Sequence, residues 1–374
     1  MTPKATSYDD VYDRQIRLWG IDAQQRMSKA RVLYIRLSGV TCEIMKNLVL
    51  AGVAAVVCDD RPYPEAVREM PCSFFSAEEM EANVAGKSKS DGEGEPDAKK
   101  ARLTPSTVAA AIEKKVEELN PLLNGRNGIE ERALSSIPDD YFAQFDAIVA
   151  SRLSVEESKR ISNALQKSMR DKEQKPGKNI DDVKTAKNET LFIITDTFGF
   201  DGCAHLDFGR NHFYRRELGK DKLSDVMGID PYVSLSDMLN TPLADVKGKW
   251  DKVPPRILLL HRLLMDYWAG IGDSNNLRGK GDKQRHREFV IFAENWLEVN
   301  KISMEAISTE SEPLDLEHFA DIARYPEISP VNAVLGGVLG NEVIKALTGK
   351  GEPANNILLF NGFDGGCRSF LLRG

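Results

Sequence analysis

Residues 31–59 of the chain read RVLYIRLSGVTCEIMKNLVLAGVAAVVCD and contain a strand, a helix and a second strand in succession. The short apolar run Arg31–Leu37 predicts a strand, and Ser38–Val40 predicts a turn. Apolar residues at helical spacing in Cys42–Leu50 predict a helix, and Ala54–Asp59 predicts a second buried strand. A unit of this kind, about 30 residues long, is typical of a parallel sheet with a right-handed crossover.

The same alternation continues on both sides of this unit. Asp146–Ala150 and Leu191–Asp196 predict further strands, and the glycine-punctuated alternation of residues 198–209 predicts an antiparallel continuation of the sheet. Apolar residues at helical spacing predict helices at Val11–Leu18, Ile21–Lys29, Thr107–Leu119, Val155–Asp171, Pro254–Tyr267 and Arg285–Val299.

These elements predict one α/β domain: a Rossmann-like, doubly wound sheet with parallel and antiparallel strands and an inserted helical region. Its first part is residues 1–210, and residues 211–328 form the mostly helical insertion. The domain returns at residues 329–374, where Val331–Leu347 predicts a long apolar helix and Asn355–Phe363 a closing strand.

Two polar segments, at about residues 84–104 and 172–190, are rich in charge and poor in large apolar residues, which predicts disordered loops. The basic cluster Lys99–Arg102 in the first loop is either a nuclear import signal or an ordinary solvated segment. We expect a nuclear and cytoplasmic location.

The composition excludes several classes of protein. The chain has 374 residues, 50 Lys and Arg, 57 Asp and Glu, and a formal net charge of −7, which gives no general attraction to nucleic acid. No apolar run approaches the roughly 20 residues that span a bilayer, and the N-terminus is too polar for a signal peptide. We therefore expect neither a nucleic-acid nor a membrane partner.

The five cysteines are scattered along the chain, and no two have the short spacing that is typical of a zinc-binding turn. Four of them lie in apolar or mixed segments, which favours buried thiols over a catalytic one. We expect no metal ligands and no nucleophilic cysteine. The cysteines are Cys42, Cys58, Cys72, Cys203 and Cys367.

The segment Tyr12–Gly20, with the sequence YDRQIRLWG, lies about ten residues before the first strand. At this point the chain resembles the adenylating E1 enzymes that activate ubiquitin-like proteins, together with their bacterial relatives of the ThiF type. Supporting segments occur in the family's order at Lys46–Gly52, Phe145–Val149, Thr197–Asp207 and Pro330–Phe363. The resemblance implies a pseudo-symmetric dimer of two adenylation domains.

The glycine turn that binds ATP phosphates in this family, Gly-x-Gly-Gly-x-Gly, is degenerate here. Its glycine positions correspond to Arg36, Ser38, Gly39 and Thr41, so three of the four glycines are absent. The resemblance implies that an Arg36 side chain projects where the nucleotide lies in relatives, and Cβ atoms hinder close approach of the backbone. These losses also argue against an ordinary dinucleotide-dependent oxidoreductase.

Other parts of the family's nucleotide site are also missing. The catalytic Asp of the family aligns with Leu153, and residues 60–75 lack the Asn-x-x-Arg group that surrounds the reacting phosphates. Asp59 stands where the ribose-binding acid belongs, as a vestige. We therefore expect no cofactor-binding residues in this chain, and ATP and Mg bound mainly by a partner subunit.

The resemblance implies a non-catalytic subunit of a heterodimeric E1, whose partner carries the catalytic cysteine and whose modifier is SUMO. By the family pattern, Arg14 reaches across the dimer to the γ-phosphate of ATP in the partner's site; the alternative for Arg14 is a surface ion pair with an acid such as Asp10. Two other functions stay open. One is the regulatory subunit of the E1 for the cullin-modifying ubiquitin-like protein, and the other is an inactive scaffold that binds a ubiquitin-like protein.

Overall fold

The structure is a computed structural model. It describes residues 8–66, 70–71, 74–75, 105–173, 189–210, 212–219, 222–224, 226–228, 232–246, 253–271, 283–308 and 315–372. The predicted loop at 84–104, with Lys99–Arg102, and most of the one at 172–190 lie outside the described residues. None of the described helices combines the length and apolar character that crossing a bilayer requires.

One eight-stranded sheet organises the chain, and its strand order is β12-β11-β6-β5-β4-β1-β2-β3. Strands β3, β2, β1, β4 and β5 run parallel, and β6, β11 and β12 extend the sheet in antiparallel fashion. The predicted fold class is therefore confirmed. The strands are β1 Arg31–Ile35, β2 Ala54–Cys58, β3 Gly128–Glu130, β4 Ala147–Ala150, β5 Leu191–Phe198, β6 Asp201–Asp207, β7 Phe213–Tyr214, β8 Glu217–Gly219, β9 Lys222–Leu223, β10 Met227–Gly228, β11 Ile357–Asn361 and β12 Gly366–Phe370.

Helices cover both faces of the sheet, as a parallel sheet requires. Along β1, Val32 and Tyr34 face one apolar core, while Leu33 and Ile35 face the other. The helices are α1 Tyr8–Trp19, α2 Ile21–Lys29, α3 Gly39–Leu50, α4 Tyr63–Ala66, α5 Val108–Leu119, α6 Asp139–Phe142, α7 Val155–Glu173, α8 Leu235–Asn240, α9 Arg256–Ile271, α10 Lys283–Val299, α11 Leu316–Arg324 and α12 Ser329–Thr348.

Helix α3 begins three residues earlier than predicted. Ser38 caps it, because its hydroxyl accepts from the Thr41 N–H while the Thr41 hydroxyl accepts from the Ser38 N–H at 2.8 Å. The predicted turn at Ser38–Val40 is therefore wrong for its last two residues, which form the first turn of α3.

Helix α12 packs along α3 through a glycine face. A Cβ atom added to Gly336 would meet the Cβ of Glu43 at 2.6 Å and the carbonyl oxygen of Val40 at 3.1 Å. Gly340 lies in ordinary contact distance of Asn47, whereas Gly337 has open space around its Cα. Close packing thus accounts for the glycine at 336.

Two strands at the edges of the sheet escape sequence prediction. Asn355–Phe363 contains β11, but it is not the closing strand, because β12 follows and pairs with it in antiparallel register. The middle of β12 is exposed, and β3 has only three residues, so neither shows an apolar alternation. The region 211–328 contains α8 to α11 and also the short strand pairs β7–β10 and β8–β9.

Candidate functional site

The strand order reverses at β1 and β4, which are neighbours in the sheet although α3 and α7 leave them toward opposite faces. In doubly wound folds, nucleotides bind outside the carboxyl ends of the strands at this switch point. The segments in question are residues 36–38 after β1 and residues 151–154 after β4. The degenerate glycine turn therefore lies where a nucleotide site belongs.

A carboxylate of the chain itself lies at the N-terminus of α3. The Gly39 N–H donates to Oε2 of Glu327 at 2.6 Å, and Nδ2 of Asn332 donates to the same oxygen at 3.2 Å. Helix N-termini attract anions, because their backbone N–H groups are unpaired and the helix dipole is positive there. Glu327 thus fills a position suited to a phosphate.

The Glu327 carboxylate is balanced by a buried arginine. Nη2 of Arg152 donates to Oε1 of Glu327 at 2.7 Å, and the two side chains are 1% and 0% exposed. Arg152 has a φ of +54°, which turns the chain sharply after β4. The pair therefore joins the loop after β4 to the segment that precedes α12.

Arg36 is held by the first turn of α7. Its Nη1 and Nη2 atoms donate to the two carboxylate oxygens of Glu157 at 2.8 and 2.5 Å, and Nη1 also donates to the carbonyl oxygen of Arg152 at 3.0 Å. Glu157 accepts from the Ser154 N–H at 2.9 Å and so closes a capping box on α7. This bidentate pair accompanies a φ of +51° at Arg36, a conformation that usually favours glycine.

Asp59 is also engaged within the chain. It accepts from the Leu37 N–H at 2.7 Å and from Nε and Nη2 of Arg61 at 2.8 and 2.6 Å, and it is 1% exposed. Leu153, where the resemblance places the family's catalytic Asp, is fully buried in an apolar core and offers no oxygen to magnesium. These residues do not fit a bound nucleotide, because the arginines at positions 36, 61 and 152 are each paired with a carboxylate of the same chain.

Helix α1, with Arg14, is anchored far from this switch point. Gln15 donates to the carbonyl oxygen of Leu50 at 3.1 Å, and the hydroxyl of buried Tyr12 accepts from Nδ2 of Asn120 at 2.8 Å. Leu50 is the last residue of α3, so the anchor lies about 16 Å along that helix from Gly39. Arg14 is therefore remote from the degenerate turn of its own chain.

Arg14 and Arg17 differ in their surroundings. Arg17 forms an ion pair with Asp13 at 3.0 Å. Arg14 is exposed, and among the side chains that the structure describes it has neither an ion-pair partner nor a hydrogen-bond partner. The side chain of Asp10 lies outside this described set, so the surface pair with Asp10 is not tested.

The three residues that fill the site, Glu327, Arg152 and Glu157, were not predicted from the sequence. The spacing Ser154-x-x-Glu157 is a readable capping box and could have shown that a carboxylate lies beside the switch point. Glu327 has no local signal, because it is 288 residues from the Gly39 N–H that it accepts from.

The chain was also compared with known proteins. It is 28% identical to SUMO-activating enzyme subunit 1 of Danio rerio over 378 residues, which cover 95% of this chain and 92% of that protein. SUMO-activating enzyme subunit 1 of Homo sapiens is 25% identical over 371 residues, and subunit 1A of Arabidopsis thaliana is 28% identical over 358 residues, with the same coverage. No family model matches the chain.

The chain is homologous to SUMO-activating enzyme subunit 1. The match extends over nearly the whole length of both proteins, so it includes the sheet and the inserted helices together. The resemblance to the E1 family that rests on Tyr12–Gly20 is thereby confirmed.

Proposed function

We propose that the chain is the non-catalytic subunit of a heterodimeric E1 that activates SUMO, supplying a dimer scaffold and one arginine in trans. The homology to SUMO-activating enzyme subunit 1 supports the coarse assignment to such an enzyme. The observation that carries the non-catalytic role is the Glu327 carboxylate at the N-terminus of α3, because it takes the position of a nucleotide phosphate.

In this proposal the partner subunit binds ATP and Mg and carries the cysteine. The C-terminal glycine carboxylate of SUMO attacks the α-phosphorus of ATP, and pyrophosphate leaves with the electrons of the broken P–O bond. The partner's thiolate then attacks the carbonyl carbon of the acyl-adenylate, and AMP leaves. The leaving pyrophosphate accumulates negative charge, which a cation near the β- and γ-phosphates stabilises.

Arg14 is the cation that this chain supplies. Its exposure and the lack of a partner among the described side chains support this role, since an arginine held in a surface pair is less available. Its location beyond the C-terminal end of α3 supports action on a partner's site rather than on its own chain's turn. A guanidinium suits the role because it stays protonated and binds phosphate oxygens through two N–H groups.

The test is ATP–pyrophosphate exchange by the assembled dimer, with Arg14→Ala compared against Arg17→Ala. We expect Arg14→Ala to lower exchange by at least about tenfold, because a lost contact to developing charge is worth more than about 1.4 kcal/mol. Arg17→Ala is the matched control, since it removes an exposed arginine of the same helix that is paired with Asp13. Unchanged exchange in Arg14→Ala, with assembly intact, refutes the role in trans.

Co-purification separates this proposal from its alternatives. We expect the chain to be isolated with a longer subunit that forms a thioester with SUMO and not with the cullin-modifying protein. Thioester formation with the latter would support the other regulatory subunit, and a ubiquitin-like protein bound without a thioester would support an inactive scaffold. A nuclear and cytoplasmic location is part of the proposal and is checked by imaging a fluorescent fusion.

A further inference from the structure

A cluster of three ligand-type side chains lies where β6 meets α9. Cys203 and His205 are two residues apart on β6 and so point to the same face of the sheet, and His261 comes from α9. One ligand atom from each residue lies within 4.8 Å of the other two. All three residues are buried, with exposures of 0%, 2% and 0%.

Two nitrogens of this cluster have no hydrogen-bond partner: Nδ1 of His205 and Nδ1 of His261. A buried polar atom without a partner costs about 1–3 kcal/mol, so two such atoms in one cluster point to a bound ion. The remaining ring nitrogen of His261, Nε2, lies 3.0 Å from Oδ2 of Asp196. A carboxylate that binds the second ring nitrogen is the usual orienting partner of a metal-bound histidine.

Asp196 is well placed for this orienting role. Its Oδ1 accepts from the Ser151 hydroxyl at 2.6 Å and from the Arg152 N–H at 3.1 Å, which fixes the carboxylate beside the His261 ring. Asp196 faces Cys203 across the β5–β6 pair, so the thiol and the carboxylate lie on one side of the sheet.

The charges beside the cluster suit a divalent cation. A thiolate and the Asp196 carboxylate together balance a divalent ion. Arg262 repels such an ion, and the nearby Asp266 carboxylate offsets part of the arginine's charge.

We propose that Cys203, His205 and His261 bind a zinc ion. Sulfur and imidazole donors together select zinc among the common divalent ions, and three protein ligands leave one tetrahedral position for water. The ion would tie the inserted helix α9 to the sheet, since two ligands come from β6 and the third from 56 residues further along the chain than His205.

The test is the zinc content of the isolated full-length chain, which is purified without a polyhistidine tag. Zinc is measured by inductively coupled plasma mass spectrometry. We expect about one zinc per chain. After removal of zinc by a chelator, added Co²⁺ should produce a visible absorption band and a thiolate-to-cobalt band in the ultraviolet, neither of which the zinc form has. Absence of both zinc and these bands from the wild-type chain overturns the proposal, as does stoichiometric copper or iron.

Variants identify the ligands. Cys203→Ala and His261→Gln should each lower the zinc content at least fivefold. Cys203→Ala should also remove the thiolate-to-cobalt band, and His261→Gln the visible cobalt band. Cys58→Ala is the matched control, because Cys58 is another buried cysteine on a sheet strand and lies outside the cluster. Zinc that persists in Cys203→Ala, or is lost in Cys58→Ala, overturns the assignment. If a variant does not fold, the cobalt spectrum of the wild type decides.

Discussion

Replacing Glu327 with Gln tests whether the buried pair with Arg152 holds the switch point together. Glutamine keeps an oxygen for the Gly39 N–H but leaves the Arg152 guanidinium, 1% exposed, without its carboxylate. Breaking one partner of a buried ion pair costs about 3–5 kcal/mol. For a chain of 374 residues, an unfolding entropy of about 2.1 cal/mol/K per residue converts this cost into a fall of about 4–6 °C in Tm.

The assay is thermal unfolding of the purified chain, followed by circular dichroism. Glu352→Gln is the matched control, because Glu352 pairs with Arg216 at the surface, where both side chains are about half exposed. An exposed pair contributes less than about 1 kcal/mol, so this variant should melt within about 1 °C of the wild type.

The double variant Glu327→Gln with Arg152→Met separates charge from packing. Removing both charges should recover part of the lost Tm, because no unpaired ion is then buried. If Glu327→Gln melts like the wild type, or if the double variant loses the sum of both single losses, the pair does not stabilise this site and the reasoning fails.

Three further outcomes are expected. Gly336→Ala should lower the free energy of unfolding by about 1–3 kcal/mol, because the added Cβ would meet Glu43. Gly337→Ala, which has open space, should raise it by up to about 1 kcal/mol. Urea titration measures both, and equal effects of the two variants would contradict the packing of α12 on α3. Burial lowers the pKa of His212 to about 4 in the folded chain, from about 6.5 in the unfolded chain. Below about pH 6.5 the unfolded chain therefore binds a proton that the folded chain does not. The free energy of unfolding should fall by about 2–3 kcal/mol as the pH is lowered from 6.5 toward 4. His212→Phe should flatten stability over that range, and an unchanged pH profile would exclude His212 as the cause. Calorimetry of the isolated chain at micromolar concentration should show no heat of ATP binding. Tight 1:1 binding would contradict the occupation of the α3 N-terminus by Glu327.

The central strands could be predicted from the sequence because they are buried on both faces. Burial of β1, β2 and β4 requires nearly continuous apolar residues, and β5 begins with the apolar run 191–194. Such runs are visible without any tertiary information. The edge strand β12 could not be predicted, because its middle residues are exposed and show no apolar alternation. Backbone pairing with β11 stabilises it instead of side-chain burial. The domain boundaries at residues 210 and 328 stay a prediction.

The candidate site was predictable in one part only. The loss of glycines at Arg36, Ser38 and Thr41 is a local feature of one turn, so the sequence displays it directly. The groups that replace the nucleotide depend on tertiary contacts, as with Glu327 at the Gly39 N–H. The same holds for the proposed zinc ligands, because cysteine spacing gives no signal for a thiol that meets a histidine of a distant helix.

The Glu327–Arg152 pair at the switch point opposes nucleotide binding by a cost that the missing glycines alone do not impose. A nucleotide at the N-terminus of α3 would have to displace the Glu327 carboxylate from the Gly39 N–H and leave Arg152 unpaired or re-paired. Displacement of this carboxylate costs about 3–5 kcal/mol. A site with a dissociation constant of about 1 µM has a binding free energy of about −8 kcal/mol, so only about −3 to −5 kcal/mol would remain. That corresponds to a dissociation constant in roughly the millimolar range. Restoring glycine at Arg36, Ser38 and Thr41 would not remove this cost, and it would leave Glu157 without its bidentate partner. Nucleotide chemistry in the proposed dimer therefore depends on the partner's site.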